Sequence, residues 1–422
     1  MLKILSTMAI ALIFSANGFC GTIYVEDIED KTRGDGTISE PYRDLQTALS
    51  NSSHGDTVLI EPGRYISQSY AFPETLCGNC ENHNTPVSAS RGFLIENKGL
   101  TIIGSGVDST ILVTNAGYGA LFLRSYDSYI TNLQITGGKR DLDGMATDAA
   151  VVVKWGRVTI ANCLLADNTD RPESVVVGIG GVMGREGAEL FIISNRIENN
   201  TWDGVALYRG ATAYITDNVI NGGRGAGIGI TWDATAVIVR NWVSNYWKGI
   251  GSFGDSRVIC SNNIVRDNLG WGIIATGTSY MDAANNVVYN NGNCGMAIWS
   301  DECAGRFSNN VIVNNGWREQ WVCPCVGIWN YGTLYNFDIS YNDVWSNKDG
   351  EYGDMPDYTN RNGNISVDPG FIDDEDFYLS EDSPLVNAGN PLLTDPDGTR
   401  SDISLYGGPK ARRQSEIVPG TK

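Results

Sequence analysis

The chain has 422 residues, with 30 lysines and arginines against 49 aspartates and glutamates, and therefore a net charge of −19. A surface of this sign repels nucleic acid and anionic membranes, which excludes both as partners. It also repels an acidic polysaccharide unless a bound cation or a local basic patch intervenes. Length alone favours more than one domain, but a solenoid extends without splitting because each coil contacts only its neighbours.

Residues 1–20 have the pattern of a secretory signal peptide. Lys3 precedes an apolar run over 4–14, and small residues follow it. No other stretch approaches the length of a membrane span. We therefore expect a secreted or periplasmic protein, monomeric and without a transmembrane segment, in a compartment that permits disulfides.

Residues 21–66 are predicted to form an amino-terminal cap with the first strands. The pattern favours a strand over 23–25, a short amphipathic helix over 41–50 and a second strand over 57–60. The insertion that follows, 67–91, interrupts the pattern and contains Cys77, Cys80 and His83. We expect a Cys77–Cys80 disulfide in this loop, because a metal site built from these three residues lacks a fourth ligand.

Residues 92–346 are predicted to be the coils of a solenoid. From Phe191 onwards the unit repeats every 22–24 residues, with one Asn and one Gly-led apolar segment in each unit. The repeated asparagines are Asn195, Asn218, Asn241, Asn263, Asn286 and Asn310. Each unit has room for two or three short strands with Val and Ile inside, and none has a helix-length apolar pattern. This predicts a parallel β-helix in which inward side chains, including the Asn amides, stack from coil to coil.

The cap and the repeats together resemble the pectate-lyase-like right-handed β-helix superfamily. The cap shows the pattern in YV, GDGT, PYRDLQTAL and GDTVLIEPGRY, and the repeats show it in units such as YITDNVI and VIVRNWV. The resemblance covers most of the mature chain and implies an all-β, right-handed parallel β-helix with an amino-terminal helix cap. It leaves the activity open, because the superfamily contains lyases, hydrolases, epimerases, phage tail spikes and non-catalytic periplasmic proteins.

Residues 347–410 resemble the carboxy-terminal segment of secreted β-helix proteins, and we expect them to cover the open end of the core. Residues 411–422 are expected to be a disordered tail. Asp395, Asp397 and Asp402 are a candidate calcium loop, but no Glu follows at EF-hand spacing. An ordered turn is the preferred interpretation.

Three cysteines late in the repeats stand at matching places on neighbouring coils. Cys294 precedes the glycine of its coil, and the Cys323-Pro324-Cys325 segment precedes the glycine of the next. Adjacent coils hold Cα atoms at a separation that a disulfide can bridge. We expect Cys294 to pair with Cys325 or with Cys323, and Cys260 to be a buried free thiol.

The register defines a column, four residues past each glycine, in which aromatic residues are frequent. It contains Tyr208, Thr231, Phe253, Thr276 and Trp299, with Tyr331 on the next coil, and we call it the aromatic column. If this position faces outwards, the column forms a strip about one sugar ring wide. Trp232 stands beside Asp233, and Trp317 and Trp321 flank the charged pair Arg318-Glu319, an arrangement that suits carbohydrate rings. We therefore take Tyr208, Trp232, Phe253, Trp299 and Trp317 as candidate substrate-binding residues.

Six residues past the glycine, Asp233 and Asp255 occupy adjacent coils. Such a pair is able to bind Ca²⁺, or to divide into acid and nucleophile for glycoside cleavage. The alternative is that each Asp accepts backbone hydrogen bonds at its turn.

Lys248 and Arg257 are candidate cations for a polysaccharide lyase, which needs a base to remove a proton and a positive charge to neutralise a uronate. Solvated surface charge is the alternative for each. The scarcity of histidine, with only two in the chain, argues against histidine-based catalysis.

The sequence therefore favours a protein that acts on or binds extracellular polysaccharide, as a lyase or a glycoside hydrolase. The alternative is a non-catalytic surface or periplasmic module that binds glycan or another protein.

Overall fold

The structure is a computed structural model that describes residues 20–28, 34–75, 86–141, 147–319, 322–332 and 336–412. Within these ranges the chain forms one α-helix and three long sheets, and it visits the sheets in turn to make the coils of a parallel β-helix. Each regular coil has three strands, the larger of the two numbers that the sequence allowed.

The strands of the first sheet are Thr22–Val25, Thr57–Ile60, Thr101–Gly104, Ser128–Thr131, Arg157–Ala161, Glu189–Ile193, Thr212–Thr216, Thr235–Val239, Arg257–Ser261, Tyr280–Ala284, Ala304–Ser308 and Phe337–Ser340. Those of the second sheet are Gly63–Ile66, Thr110–Val113, Gln134–Thr136, Leu164–Ala166, Arg196–Glu198, Val219–Asn221, Trp242–Ser244, Ile264–Arg266, Val287–Tyr289, Val311–Val313 and Asp343–Trp345. Those of the third sheet are Tyr70–Glu74, Val87–Glu96, Tyr118–Leu123, Asp148–Lys154, Ile179–Arg185, Val205–Leu207, Ala226–Thr231, Lys248–Phe253, Trp271–Ala275, Met296–Ile298, Ile328–Asn330 and Tyr352–Gly353.

The interior of the solenoid is a continuous column of Val, Ile, Leu and Ala. Ile228 and Ile230, predicted to face inwards, are fully buried in it, and so are Val243 from the second sheet and Ile238 from the first. Alternation along each strand places one set of side chains in this core and the other set on the outer face. Cys260 also lies in the core as a free thiol, as predicted.

The repeated asparagines form a buried ladder at the turn between the first and second sheets. The Asn241 side-chain amide donates to Asn263 Oδ1 (3.0 Å), and that of Asn263 donates in turn to Asn286 Oδ1 (2.9 Å). The same oxygens accept the backbone N–H of the preceding Asn, as in Asn241 N to Asn263 Oδ1 (2.9 Å). The predicted amide pairing between coils is therefore confirmed.

The left-handed backbone at this turn belongs to the residue before each ladder Asn. Arg240, Asn262 and Asn285 have φ of 57°, 56° and 57°. The ladder position thus needs Asn for the hydrogen bonds of its amide, and the residue before it adopts the left-handed conformation. Asn, Asp and Ser occupy several of these preceding positions because they tolerate this conformation better than most residues.

The amino-terminal cap agrees with its prediction except at the start of the helix. The helix runs over Leu45–Asn51, because Asp44 accepts a hydrogen bond from Thr47 N (2.6 Å) and so begins it later than residue 41. The insertion at 67–91 was expected to be a loop, but it contributes the strand Tyr70–Glu74, which pairs antiparallel with Val87–Glu96. Cys77, Cys80 and His83 lie outside the described residues.

The first part of the carboxy-terminal segment lies at the open end of the core, where Tyr352 and Met355 pack against the core and Asn364 accepts a hydrogen bond from the last ladder residue, Asn342 (3.0 Å). Residues 385–412, whose course was not predicted, run back along the side of the solenoid as a strap. The left-handed residues of five successive turns bind this strap, through Asn309 to Ser401, Asn285 to Asp402, Asn262 to Leu405, Arg240 to Lys410 and Asp217 to Arg412. Asp395 and Asp402 accept backbone N–H groups within the strap, consistent with an ordered turn.

Replacing Asn263 by Ala is expected to lower the free energy of unfolding by about 2–4 kcal/mol, because several buried amide and backbone groups lose their partners. Asn51→Ala, at the exposed end of the helix, is the matched control and should change stability by less than about 0.5 kcal/mol. Urea unfolding followed by circular dichroism measures both. Equal midpoints for the two variants would contradict the role of the ladder.

Asp343 gives the fold a dependence on pH. Its carboxyl is fully buried, with Val367 N donating to one oxygen (3.0 Å), and burial raises its pKa from 3.8 to about 8. Because the folded state holds a proton that the unfolded state has lost, stability falls as pH rises from about 4 to about 8. In Asp343→Asn this slope should shrink by about 1.4 kcal/mol per pH unit. Urea midpoints at pH 5, 6 and 7 test this, and an unchanged slope would refute it.

Candidate functional site

The outer face of the third sheet carries the residues with the most unusual environments. Parallel register aligns its outward side chains in three columns, at the start, middle and end of each strand. The end column is the aromatic column of the sequence analysis. It begins with the cations Lys154 and Arg185 and continues with Tyr208, Thr231, Phe253, Thr276, Trp299 and Tyr331, so its cations lie at the amino-terminal end and its exposed aromatic residues at the other.

The amino-terminal half of this face is covered. The strand Tyr70–Glu74 lies beside it, and Glu74 is buried there with Lys154 Nζ 2.7 Å from its Oε2. Tyr118 OH donates to the same Glu74 oxygen (3.2 Å) and accepts a hydrogen bond from Arg185 Nη1 (2.7 Å). Burial lowers the pKa of Lys154, while the Glu74 carboxylate opposes that shift. This half is a closed polar network.

The network ends at Glu186, which joins Arg185 and Arg209. Its two oxygens lie 2.7 Å from Arg185 Nε and 2.7 Å from Arg209 Nη2. Tyr208, on the next coil, is only 3% exposed. It packs in the outer apolar cluster with Tyr118 and Met183, so it has the outward orientation of the two that the sequence left open, but it is not available as a stacking surface.

In the middle of the face, Gly251 leaves room for an aromatic ring to lie flat on the strand. At Gly251 a Cβ would lie 2.3 Å from the Phe253 ring, so only glycine allows that ring to lie across its own strand. Lys248 Nζ then rests over the ring, 5.2 Å from its centroid. Phe253 and Lys248 thus form one unit, with both side chains partly exposed.

Lys248 also acts on Asp203, two coils away. Asp203 accepts hydrogen bonds from Ala226 N (2.6 Å) and from Tyr208 OH (3.4 Å). Burial raises the pKa of Asp203 to about 6, although the Ala226 N–H and the Lys248 charge oppose the shift. Burial lowers the pKa of Lys248, with the Asp203 charge opposing. The pKa of the carboxyl is raised and the pKa of the lysine is lowered, so both move closer to neutral pH than in free side chains.

The carboxy-terminal half of the face is an aromatic cluster, which we define as Trp247, Trp271, Trp299, Trp329 and Tyr331. Successive tryptophans meet edge to face, with ring centroids 6.2, 5.1 and 4.8 Å apart. Tyr331 stacks on Trp299 at 6.1 Å and 26°.

The cluster has a fixed floor and an exposed surface. Trp271 and Trp329 are almost completely buried, and Trp329 Nε1 donates to Asp354 (2.7 Å). Trp247 and Trp299 are half-buried, and Tyr331 is 69% exposed. The result is a rigid apolar surface that spans four coils and is open to solvent.

Asp233 and Asp255 use their carboxylates as turn acceptors. Asp255 Oδ1 accepts from Asp233 N, and Asp233 Oδ1 accepts from Gly210 N. This is the alternative that the sequence left open, and it ties three successive turns together. The two candidate cations are placed elsewhere, with Lys248 over the Phe253 ring and Arg257 over the Tyr280 ring. In the described part of the chain, no group of three or more His, Cys, Asp or Glu side chains is placed to hold a metal ion.

The other candidates from the sequence lie outside the aromatic cluster. Arg257 is on the outer side of the first sheet, over the Tyr280 ring at 4.4 Å. Trp232 packs on Gly254 at the turn that carries Asp233, and also against the apolar residues around Tyr208 on the covered half of the third sheet. Trp317 is exposed, but its Nε1 donates to Asn290 O (2.7 Å) at the turn before the third sheet. The structure therefore brings Lys248, Phe253 and Trp299 onto one face and leaves the acidic pair and Arg257 outside it.

Of the two partners that the sequence offered for Cys294, the structure places Cys323 next to it and Cys325 away from it. Cys294 Sγ lies 3.4 Å from Cys323 Sγ, and both residues are free thiols here. The Cys325 thiol instead donates to the carbonyl oxygen of Arg318 (3.0 Å). The side chain of Cys323, two residues earlier, is the one directed towards Cys294.

The sequence alone places Asp203 and Lys248 at the same position before the glycine, on coils two apart, and places Arg185 and Glu186 at a strand end. It did not predict that Arg185 and Glu186 belong to a buried charge network with Lys154 and Glu74. The position of Glu74 could not be predicted from the register, because Glu74 lies in an insertion that is not part of the repeat.

The family model for the right-handed β-helix region matches residues 77–243 and 178–344. These overlapping matches cover more than half of the chain, so the protein belongs to the right-handed β-helix family. This confirms the predicted fold class and the handedness implied by the resemblance.

Among curated proteins, the chain is 21% identical over 233 residues to SHC SH2 domain-binding protein 1 of Mus musculus. The alignment covers 55% of this chain and 27% of that protein, so the chain spans about a quarter of the relative's length. The human protein of the same name matches over the same shares.

The solved structures that share the fold include a pectate lyase and a mannuronan epimerase module. The pectate lyase Pel9A has a TM-score of 0.54 at 14% identity, covering 92% of this chain and 96% of that one. The A-module of mannuronan C-5 epimerase AlgE6 from Azotobacter vinelandii has a TM-score of 0.50 at 12% identity, covering 77% and 96%. At these identities the likeness is one of fold. No helix in the described part of the chain is long and apolar enough to cross a membrane.

Proposed function

We propose that the protein binds extracellular polysaccharide on the carboxy-terminal half of the third sheet. The observation that carries the proposal is the aromatic cluster, whose stacked pair Trp299 and Tyr331 is exposed while its floor is fixed. Sugar rings present apolar C–H faces that pack on aromatic rings, and a rigid aromatic surface loses little conformational entropy on binding.

The direction of the glycan follows from the arrangement of the rings. Trp247, Trp271 and Trp299 stand on successive coils, so the apolar surface extends along the solenoid axis. The amino-terminal half of the same face is closed by Glu74 and its partners, so the glycan lies over the carboxy-terminal half and reaches towards Lys248. The pectate lyase and mannuronan epimerase named above are polysaccharide-active proteins of the same fold, which agrees with this proposal.

Tyr331→Ala should weaken polysaccharide binding by about tenfold or more, because exposed aromatic residues at a stacking surface contribute strongly to affinity. Affinity electrophoresis of the purified protein against a panel of neutral and acidic polysaccharides, with and without Ca²⁺, first identifies the ligand. Trp299→Ala should have the same effect. Tyr126→Ala removes another exposed tyrosine (54%) at the covered end, and it is the matched control.

Retained affinity in Tyr331→Ala and Trp299→Ala, with the fold intact, would refute the aromatic cluster as the site. Dependence of binding on Ca²⁺ would support the acidic pair as a cation site. The double variant Asp233→Asn with Asp255→Asn tests this, because Asn keeps an acceptor oxygen at each turn.

A second candidate function, polysaccharide lyase, is favoured by Lys248. Its pKa is lowered by burial, and it lies at the edge of the aromatic surface near Asp203. A neutral lysine is able to remove a proton from a bound uronate, and the remaining positive charges would have to stabilise the carboxylate. Arg257, on another sheet, is not placed to take part.

Lys248→Ala should abolish any eliminase activity while leaving affinity within about threefold of wild type, because the glycan contacts are mainly aromatic. The ultraviolet absorbance of unsaturated products, measured together with new reducing ends, reports elimination. Wild-type activity should rise with pH as Lys248 loses its proton. Reducing ends without absorbance would mean hydrolysis, and silence across the panel with binding retained would leave a non-catalytic glycan-binding protein.

A further inference from the structure

The cysteines beside the aromatic cluster form a reactive group that the proposed function does not use. Cys294 lies at the start of a third-sheet strand, in the column that also holds Trp271. Cys323 lies in the chain that leads into the next coil. Both side chains belong to the apolar cluster that includes Trp271 and Trp329.

Contact between these two sulfurs is built into the coil stacking. Cys294 and Cys323 are 0% and 1% exposed, and their sulfurs lie 3.4 Å apart. Cys325 is held away by its hydrogen bond to Arg318 O. Two buried thiols on adjacent coils, directed at each other, are suitably placed for a disulfide.

We propose that Cys294 and Cys323 are a modification site, at which a disulfide joins adjacent coils and fixes residues 322–327 against the aromatic cluster. Cys325 remains a thiol. The disulfide forms irrespective of any ligand, whereas its effect on glycan affinity rests on the proposed function.

The chemistry balances with a disulfide oxidant such as glutathione disulfide. The Cys323 thiolate displaces one glutathione thiolate and forms a mixed disulfide, and the Cys294 thiolate then displaces the second glutathione. Two protein thiols lose two protons and two electrons, and one glutathione disulfide becomes two glutathione molecules. Cys323 is the better first nucleophile, because the hydrogen bond from Cys294 lowers its pKa while burial raises the pKa of Cys294.

The test is mass mapping of the full chain after treatment with glutathione disulfide or with dithiothreitol, alkylation and tryptic digestion. Cys294 and Cys303 fall in one tryptic peptide, and Cys323 and Cys325 in another. The oxidised sample should contain these two peptides joined, and the reduced sample should not. The link should persist in Cys303→Ser and Cys325→Ser and vanish in Cys294→Ser and Cys323→Ser.

The opposite outcomes overturn the proposal. A link that persists in Cys323→Ser and vanishes in Cys325→Ser would assign the bond to Cys325. If folded, oxidised wild-type protein contained no disulfide link between the two peptides, the proposed modification site would be refuted.

Thermal unfolding gives a second readout that does not depend on mapping. Oxidised wild type and oxidised Cys325→Ser should both melt at a higher temperature than their reduced forms, and Cys323→Ser should show no such difference. Equal melting temperatures for oxidised and reduced wild type would contradict a disulfide that joins adjacent coils.

Glycan affinity separates this site from the proposed function. If the aromatic cluster binds glycan, oxidised protein should bind more tightly than reduced protein, because the disulfide limits the motion of its floor. A mapped disulfide without glycan binding in either state would refute the proposed function and leave the modification site standing.

Discussion

Parallel register between adjacent coils is the constraint on which the rest of the structure depends. The buried Asn ladder satisfies the polar groups of each turn with the amide of the next coil, so a shift by one residue would leave several buried donors unpaired. Because the ladder fixes the register, every outward position becomes a column that runs the length of the solenoid. A single column can then change chemistry from coil to coil without disturbing the core.

The third sheet illustrates this freedom. Its end column places Lys154 and Arg185 under a covering strand, and places Trp299 and Tyr331 in the open. The same backbone position is therefore structural at one end and available for ligand at the other. What separates the two halves is the insertion that contributes Glu74, since a solenoid tolerates extra residues at its turns and these decide which part of a face remains exposed.

The sequence predicted what is periodic and failed where the period stops. The parallel β-helix, the inward Ile228 and Ile230 and the amide pairing of the ladder all follow from the repeat. The covered state of Tyr208 and the course of the carboxy-terminal strap did not, because both depend on segments that have no repeat to align. The acidic pair at Asp233 and Asp255 was placed on adjacent coils correctly, but spacing alone does not reveal that backbone N–H groups already occupy those oxygens.

The strap along the turns has a consequence for how this fold can vary. A bare solenoid gains or loses whole coils easily, since only the nearest neighbours are affected. Here the residues from Asn309 back to Asp217 each bind a successive part of one returning segment. Deleting a coil would shift every one of these contacts by one step along the strap. The number of coils and the length of the carboxy-terminal segment must therefore change together, which gives this otherwise open-ended architecture a defined length.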